Sequence, residues 1–127
     1  MELPLSVLEE ELSICRLPAD SPAPDWAWTK GFCSVTRTDN ELSIVTHSRF
    51  VPEDVLKECH FRAIRIEGTL DFSLIGILSE ISSVLAKEGI SIFAVSTYDT
   101  DYILVRDEVL EKAIIALRKA GHKVKRS

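Results

Sequence analysis

The order of hydrophobic periods in the second half of the chain constrains its fold more than any other feature. Residues 61–67 alternate apolar and polar side chains, as a half-buried strand does. Between Leu74 and Leu85 the apolar residues recur every three or four positions, which predicts one buried helix face. The predicted elements are a strand at 61–67, a helix at 74–85, strands at 90–95 and 102–105, a helix from 107 and an edge strand at 122–126. This half is therefore predicted to fold as β-α-β-β-α-β, with 90–95 as a central strand.

The first half shows a shorter version of the same order. We expect strands at 12–17, 32–37 and 42–46, one helical turn at 26–28 and a short helix beginning at Pro52. Asp39–Val45 also parallels Asp99–Val105 at an offset of sixty residues. We therefore predict an α+β protein of two tandem ferredoxin-like (βαββαβ) units, residues 1–60 and 61–127. Each unit is expected to be an antiparallel sheet with helices on one face.

Composition excludes several classes of function. The net charge of −5 argues against nucleic acid, because phosphates would repel the chain. No apolar run reaches membrane-spanning length, and the acidic Glu2 stands where a signal peptide needs basic residues. Cys15, Cys33 and Cys59 match no metal or redox spacing, so buried thiols in a cytoplasmic protein are expected.

Two polar stretches are candidates for a binding site. Residues 68–72 join a strand to a helix, and backbone N–H groups at a helix start can hold a carboxylate. The hydroxyls and carboxylates of 97–101 can hold an ammonium or guanidinium group. From the residues alone, an ordinary strand-to-helix turn capped by Asp71 is the favoured interpretation of 68–72, and a polar hairpin tip is the alternative for 97–101.

Catalysis and metal binding are not expected. His47, His60 and His122 lack regular spacing for a metal, and surface or capping roles are predicted for them. No nucleophile motif is present, so we predict a protein that is not an enzyme and has no cofactor or metal.

Three stretches carry a resemblance to a known family. They are Gly68–Leu78, Leu85–Ile92 and Ser96–Val105. With these residues the chain resembles tandem ACT-domain proteins, a bacterial stand-alone family related to the regulatory domains of aspartate kinases and to the CASTOR arginine sensors. The similarity is strongest from about Leu42 to Val124. Ile75-Gly76 stands where typical ACT domains carry a Pro-Gly pair at the first helical turn.

The resemblance implies a non-enzymatic, regulatory protein that binds a free amino acid. A cationic side chain on the ligand is allowed but not required, and the pocket lies either within one chain or between two. The implied ligand-binding residues are Gly68, Thr69, Leu70, Asp71, Phe72, Ile75, Thr97, Tyr98, Asp99, Thr100 and Asp101. A homodimer and an unidentified regulated protein are the implied partners. The alternative is a structural or partner-binding module of the same fold without a small-molecule ligand.

Overall fold

The computed structural model describes residues 1–68 and 75–126, and the chain divides into two compact units. The N-terminal unit is Glu10–Phe61, and the C-terminal unit is Met1–Glu9 together with Arg62–Ser127. The first nine residues, predicted to belong to the N-terminal unit, are thus grouped with the C-terminal one. The reason is long-range strand pairing, described below.

The described residues contain eight strands, two α-helices and three short 3-10 turns. The strands are β1 (Pro4–Val7), β2 (Leu12–Leu17), β3 (Ser34–Arg37), β4 (Leu42–His47), β5 (Leu56–Ile66), β6 (Phe93–Ser96), β7 (Asp101–Arg106) and β8 (Lys123–Arg126). The helices are α1 (Ile77–Lys87) and α2 (Leu110–Lys119). The 3-10 turns are Asp25–Ala27, Ser48–Phe50 and Asp107–Val109.

The N-terminal unit is an antiparallel sheet in the order β3-β4-β2-β5, to which β5 contributes residues 56–61. Its strands follow the pairing order of a ferredoxin-like unit, but 3-10 turns stand where that fold has helices. The turn at Asp25–Ala27 covers the sheet, and Ala27 is fully buried. The fully packed residues of this core are Cys15, Ala27, Leu42 and Ile44.

The short helix predicted from Pro52 does not form. The Lys57 ammonium donates to the carbonyl oxygens of Pro52 and Glu53, at 3.1 and 3.3 Å. A lysine side chain therefore binds carbonyls that helical N–H groups would otherwise take. The segment is also too short to form a helix, because β5 already begins at Leu56.

The C-terminal unit is a mixed sheet in the order β6-β7-β5-β1-β8, with α1 and α2 packed into its core. β1 lies antiparallel to β5 and parallel to β8. A ferredoxin-like unit would pair β5 directly with β8, and here β1 lies between them. The expectation of purely antiparallel sheets is therefore wrong for this unit, because an N-terminal strand completes it.

β6 is an edge strand, which corrects the prediction of a central strand at 90–95. β6 pairs with β7, its Phe93 and Val95 are half-buried, and its Ala94 and Ser96 are exposed. The apolar run looked continuous because Ile90, before the strand, is 6% exposed in the core. The N–H of Ile90 donates to the Leu85 carbonyl at 3.0 Å, which packs Ile90 back against the end of α1.

The two units contain an internal repeat at an offset of 59 residues, one less than the sequence comparison indicated. Adding 59 to the bounds of β3 and β4 gives those of β6 and β7. The same offset relates the 3-10 turn at Ser48–Phe50 to the one at Asp107–Val109. Each hairpin can therefore be compared with the other, position by position.

Candidate functional site

The turn between β6 and β7 is built by Thr97. Its N–H donates to the carbonyl oxygen of Thr100 at 2.8 Å, and its hydroxyl lies 3.1 Å from the same oxygen. The N–H of Thr100 donates back to the Thr97 hydroxyl at 3.2 Å. Thr97, a predicted ligand residue, thus shapes the turn with the atoms that would otherwise be offered to a ligand.

Thr100 connects this turn to the end of β5. Its hydroxyl donates to the Ile66 carbonyl oxygen at 2.7 Å, and the residue is only 3% exposed. Gly68 follows Ile66 by two residues, so this bond holds the turn against the end of β5, within the C-terminal unit. The role observed for Thr100 is therefore to join the turn to β5.

Asp101 is a half-buried carboxylate at the start of β7. It begins β7 and alternates with Ile103 and Val105, which are buried in the core with the helices. Its carboxylate accepts a hydrogen bond from the hydroxyl of Ser96, the cross-strand partner. Ser96 was absent from the predicted site residues, although its position directly across a four-residue turn from Asp101 was a usable signal.

The same position in the N-terminal repeat is apolar. Subtracting 59 from Asp101 gives Leu42, which is 1% exposed and packs in the core of its own unit. A charged side chain thus replaces a core side chain at the same point of the hairpin. A carboxylate there needs polar partners, since burying an unpaired charge is costly.

Tyr98 and Asp99 form the tip of the turn. Tyr98 is 81% exposed and Asp99 is exposed. Both side chains lie on the surface of the turn.

For the other predicted wall, at the strand-to-helix loop, the structure describes Gly68 at the start and the residues from Ile75 onward. Gly68 and Gly76 both adopt φ of +83°, a left-handed conformation that favours glycine. Ile75 is 87% exposed, and α1 begins at Ile77, three residues later than predicted. The helix cannot extend back through Gly76 because its φ is left-handed. The predicted ligand residues Thr69, Leu70, Asp71 and Phe72 lie outside the described residues.

A metal site and a membrane-spanning helix are two further features that would point to a function. No cluster of three or more His, Cys, Asp or Glu side chains there is arranged to hold a metal ion. Within residues 1–68 and 75–126, no helix has the length and apolarity needed to cross a membrane. The predicted burial of the thiols is confirmed for Cys15, whereas Cys33 and Cys59 are only half-buried. Burial raises the pKa of the Cys15 thiol to about 11.

The three histidines differ in exposure, although surface or capping roles were predicted for all of them. The side chains of His60 and His47 are 70% and 13% exposed, and His122 is a buried residue at a helix end, 3% exposed. Sequence reasoning missed the buried one because it follows a glycine at a helix end, where a polar residue ordinarily faces water.

Comparison with protein families identifies the chain. A family model described as the ACT domain matches residues 56–119, and the chain belongs to this family. A second family model, described as an N-terminal domain, matches residues 10–54. Its bounds agree with the N-terminal unit, which begins at Glu10.

Solved structures show that the fold recurs in other proteins. A protein from Agrobacterium tumefaciens is 38% identical with a TM-score of 0.95, covering 100% of this chain and 95% of its own. The regulatory subunit of aspartate kinase from Thermus thermophilus, in a ligand-free form, has a TM-score of 0.63 at 12% identity. The match covers 91% of this chain and 95% of that subunit. The aspartate kinase of Clostridium acetobutylicum has a TM-score of 0.65 at 14% identity, covering 91% of this chain and 34% of the kinase. The two kinase proteins share the fold with this chain. The comparison with curated proteins gave no match.

Proposed function

We propose that this ACT-domain protein is a non-enzymatic regulatory sensor that binds a free amino acid in its C-terminal unit. The ligand would lie between the loop of residues 68–72 and the turn of residues 97–101. The proposal also takes the two units as tandem ACT-type repeats, residues 10–61 and the C-terminal remainder. The family match and the repeat of hairpins at an offset of 59 support it.

The observation that carries the proposal is the pair formed by Thr100 and Asp101. Thr100 joins the turn to the end of β5 through its 2.7 Å bond to Ile66. Asp101 places a carboxylate where the other repeat has a buried leucine. A protein that needed only a stable hairpin would keep an apolar residue there, because the apolar side chain adds core packing.

The chemistry of the site fits a zwitterion. The carboxylate of Asp101 would accept charge-assisted hydrogen bonds from the ligand's ammonium group. Backbone N–H groups of the glycine loop would donate to the ligand's carboxylate. A guanidinium or second ammonium on the ligand would pair with Asp99, which is exposed at the turn.

A thermal-shift screen against the twenty amino acids, confirmed by calorimetry, tests the proposal. A ligand present at a hundred times its dissociation constant stabilises the folded protein by about 2.7 kcal/mol. Asp101→Asn should abolish the shift, because the amide loses the negative charge that holds the ammonium. Asp39→Asn is the matched control, since Asp39 is an exposed carboxylate in the corresponding turn of the other repeat. The absence of any shift at millimolar concentration, with no calorimetric heat, would reject free amino acids as ligands.

Partner binding without a small molecule is the second candidate. Ile75 and Tyr98 are large side chains that are 87% and 81% exposed in the same unit, which favours a protein surface. A homodimer or an unidentified regulated protein would cover them. Under this alternative, Asp101→Asn would leave the molar mass from light scattering unchanged, whereas Ile75→Glu would lower it.

The reducing cytoplasm is the compartment that we propose. Cys15, Cys33 and Cys59 are all free thiols. Free thiols persist where glutathione and thioredoxin keep them reduced.

A further inference from the structure

The imidazole of His122 lies inside the C-terminal unit, with its side chain fully buried. Gly121, at φ of +99°, ends α2, and the His122 N–H donates to the Leu117 carbonyl at 3.1 Å. Ile90 closes α1 in the same way through its bond to Leu85. This position of a helix cap ordinarily takes an apolar side chain that packs on the helix. At α2 an imidazole occupies it, so two buried ring nitrogens need partners.

Both ring nitrogens have partners, and these define the protonation state. The Leu3 N–H donates to Nδ1 at 3.1 Å, and Nε2 lies 2.9 Å from Oε2 of Glu80. A nitrogen that accepts a hydrogen bond carries no hydrogen, so the ring is neutral, with its hydrogen on Nε2 donated to Glu80. Leu3 is held from its other side as well, because its carbonyl accepts from the Lys123 N–H at 3.0 Å.

We propose that His122 is a pH-sensitive link between the start of β1 and the start of α1. Protonation at Nδ1 turns the acceptor into a donor that faces the Leu3 N–H, so this bond is lost. The Nε2–H still donates to Glu80, now within an ion pair, so the link to α1 persists. Acidification therefore weakens the attachment of the start of β1 and leaves the link to α1 in place.

The position of β1 gives this release a structural consequence. β1 lies between β5 and β8, and its pairing with β8 begins at Pro4 and Lys123, next to the His122 link. Loss of the Leu3 bond therefore exposes the end of the β1–β8 ladder to fraying. This inference goes beyond the proposed function and requires no ligand.

Charged groups lie on each element next to His122. Glu80 faces it from α1 in direct hydrogen-bond contact. From the N-terminus and β8, Glu2 and Lys123 form an ion pair of 3.5 Å with each other, and both are more than half exposed. From α2, the Arg118 guanidinium donates to the Val124 carbonyl at 2.6 Å.

Nuclear magnetic resonance of the full chain tests the link. While the Leu3 bond is intact, the ring nitrogens of His122 should show the neutral Nε2–H tautomer. The protection factor of the Leu3 amide, corrected for intrinsic exchange, should fall roughly tenfold as the ring becomes protonated. In His122→Gln, which has no titrating ring, the fall should be absent.

His60→Gln is the matched control. His60 also lies 3.0 Å from a glutamate, Glu11, but the pair is exposed and lies in the N-terminal unit. This variant should keep the wild-type fall in Leu3 protection. A Leu3 protection factor that stays constant while the His122 ring titrates would overturn the proposal. A fall that persists in His122→Gln would overturn it equally, and the wild-type titration decides the question if that variant does not fold.

Discussion

Thr100→Val is the substitution that most directly tests how the candidate site is assembled. Valine keeps the shape of threonine and removes the hydroxyl that donates to the Ile66 carbonyl at 2.7 Å. Thr100 is 3% exposed, so water cannot readily replace the lost donor. Removing one partner of a buried hydrogen bond costs about 1–3 kcal/mol.

Urea unfolding followed by circular dichroism measures this cost. For an m-value of about 2 kcal/mol per molar, a loss of about 2 kcal/mol lowers the midpoint by about 1 M. Thr36→Val is the matched control, because Thr36 is an exposed strand residue and surface changes usually stay within about 0.5 kcal/mol. The same Thr100 variant should weaken any amino-acid ligand found in the thermal-shift screen, since the turn is no longer fixed to the end of β5.

A midpoint for Thr100→Val that stays within about 0.2 M of wild type, less than about 0.5 kcal/mol, would refute this reasoning. The hydroxyl would then contribute nothing measurable to the joint between the turn and the end of β5. The proposed pocket would lose its structural basis, even if a ligand were found elsewhere.

Three further outcomes are expected. His60 has a strained φ of +69° at a bulge of β5, and its contact with Glu11 is exposed. Because glycine adopts this φ without strain, His60→Gly should raise the free energy of unfolding by about 0.5–1 kcal/mol in urea titrations. A loss of stability would contradict this reasoning. Burial raises the pKa of the Cys15 thiol to about 11 and Lys57 opposes this weakly, so the folded state keeps the proton longer than the unfolded state. The contribution of Cys15 to stability should therefore be constant below about pH 9 and fall as the pH rises towards 11, and the difference in unfolding free energy between wild type and Cys15→Ala should show this fall. Asp101→Leu, which restores the residue type of the other repeat, should keep or raise the melting temperature while abolishing ligand binding; a retained ligand shift would remove Asp101 from the site.

Local patterns predicted the two hairpins well because their causes are local. Alternating side chains specify strands, and four-residue turns with threonine need no distant partner. The helix at 107 was also predicted, although the structure begins it with a 3-10 turn and continues it as α2. The prediction that Gly89 and Gly121 end the two helices is confirmed for the same reason, since a residue in the left-handed conformation closes each helix.

Long-range pairing explains what the sequence could not predict. β1 pairs with residues almost sixty positions away in β5 and with residues near the C-terminus in β8. The sequence of the four residues Pro4–Val7 does not specify which strands they pair with, so the domain assignment of residues 1–9 could not be inferred. The burial of His122 depends equally on Leu3, 119 positions away.

The sequence predicted the polar residues of the turn at 97–101 but not the contacts that each one makes. The family resemblance implied Thr97, Thr100 and Asp101 as ligand contacts. The structure uses Thr97 to close the turn and Thr100 to join it to β5. Hydroxyl groups serve both uses equally well, so composition alone cannot distinguish a ligand contact from a turn bond.

The internal repeat provides that distinction. Thr38 closes the β3–β4 turn as Thr97 closes the β6–β7 turn, with N–H to carbonyl bonds of 2.9 and 2.8 Å. The turn chemistry is thus shared, and it cannot be what makes one hairpin a candidate site. The first residue after each turn differs, as Leu42 is buried in a core and Asp101 presents a carboxylate on the corresponding side. Because the backbone is held constant by the repeat, this exchange of an apolar for a charged side chain is the feature that calls for a functional explanation.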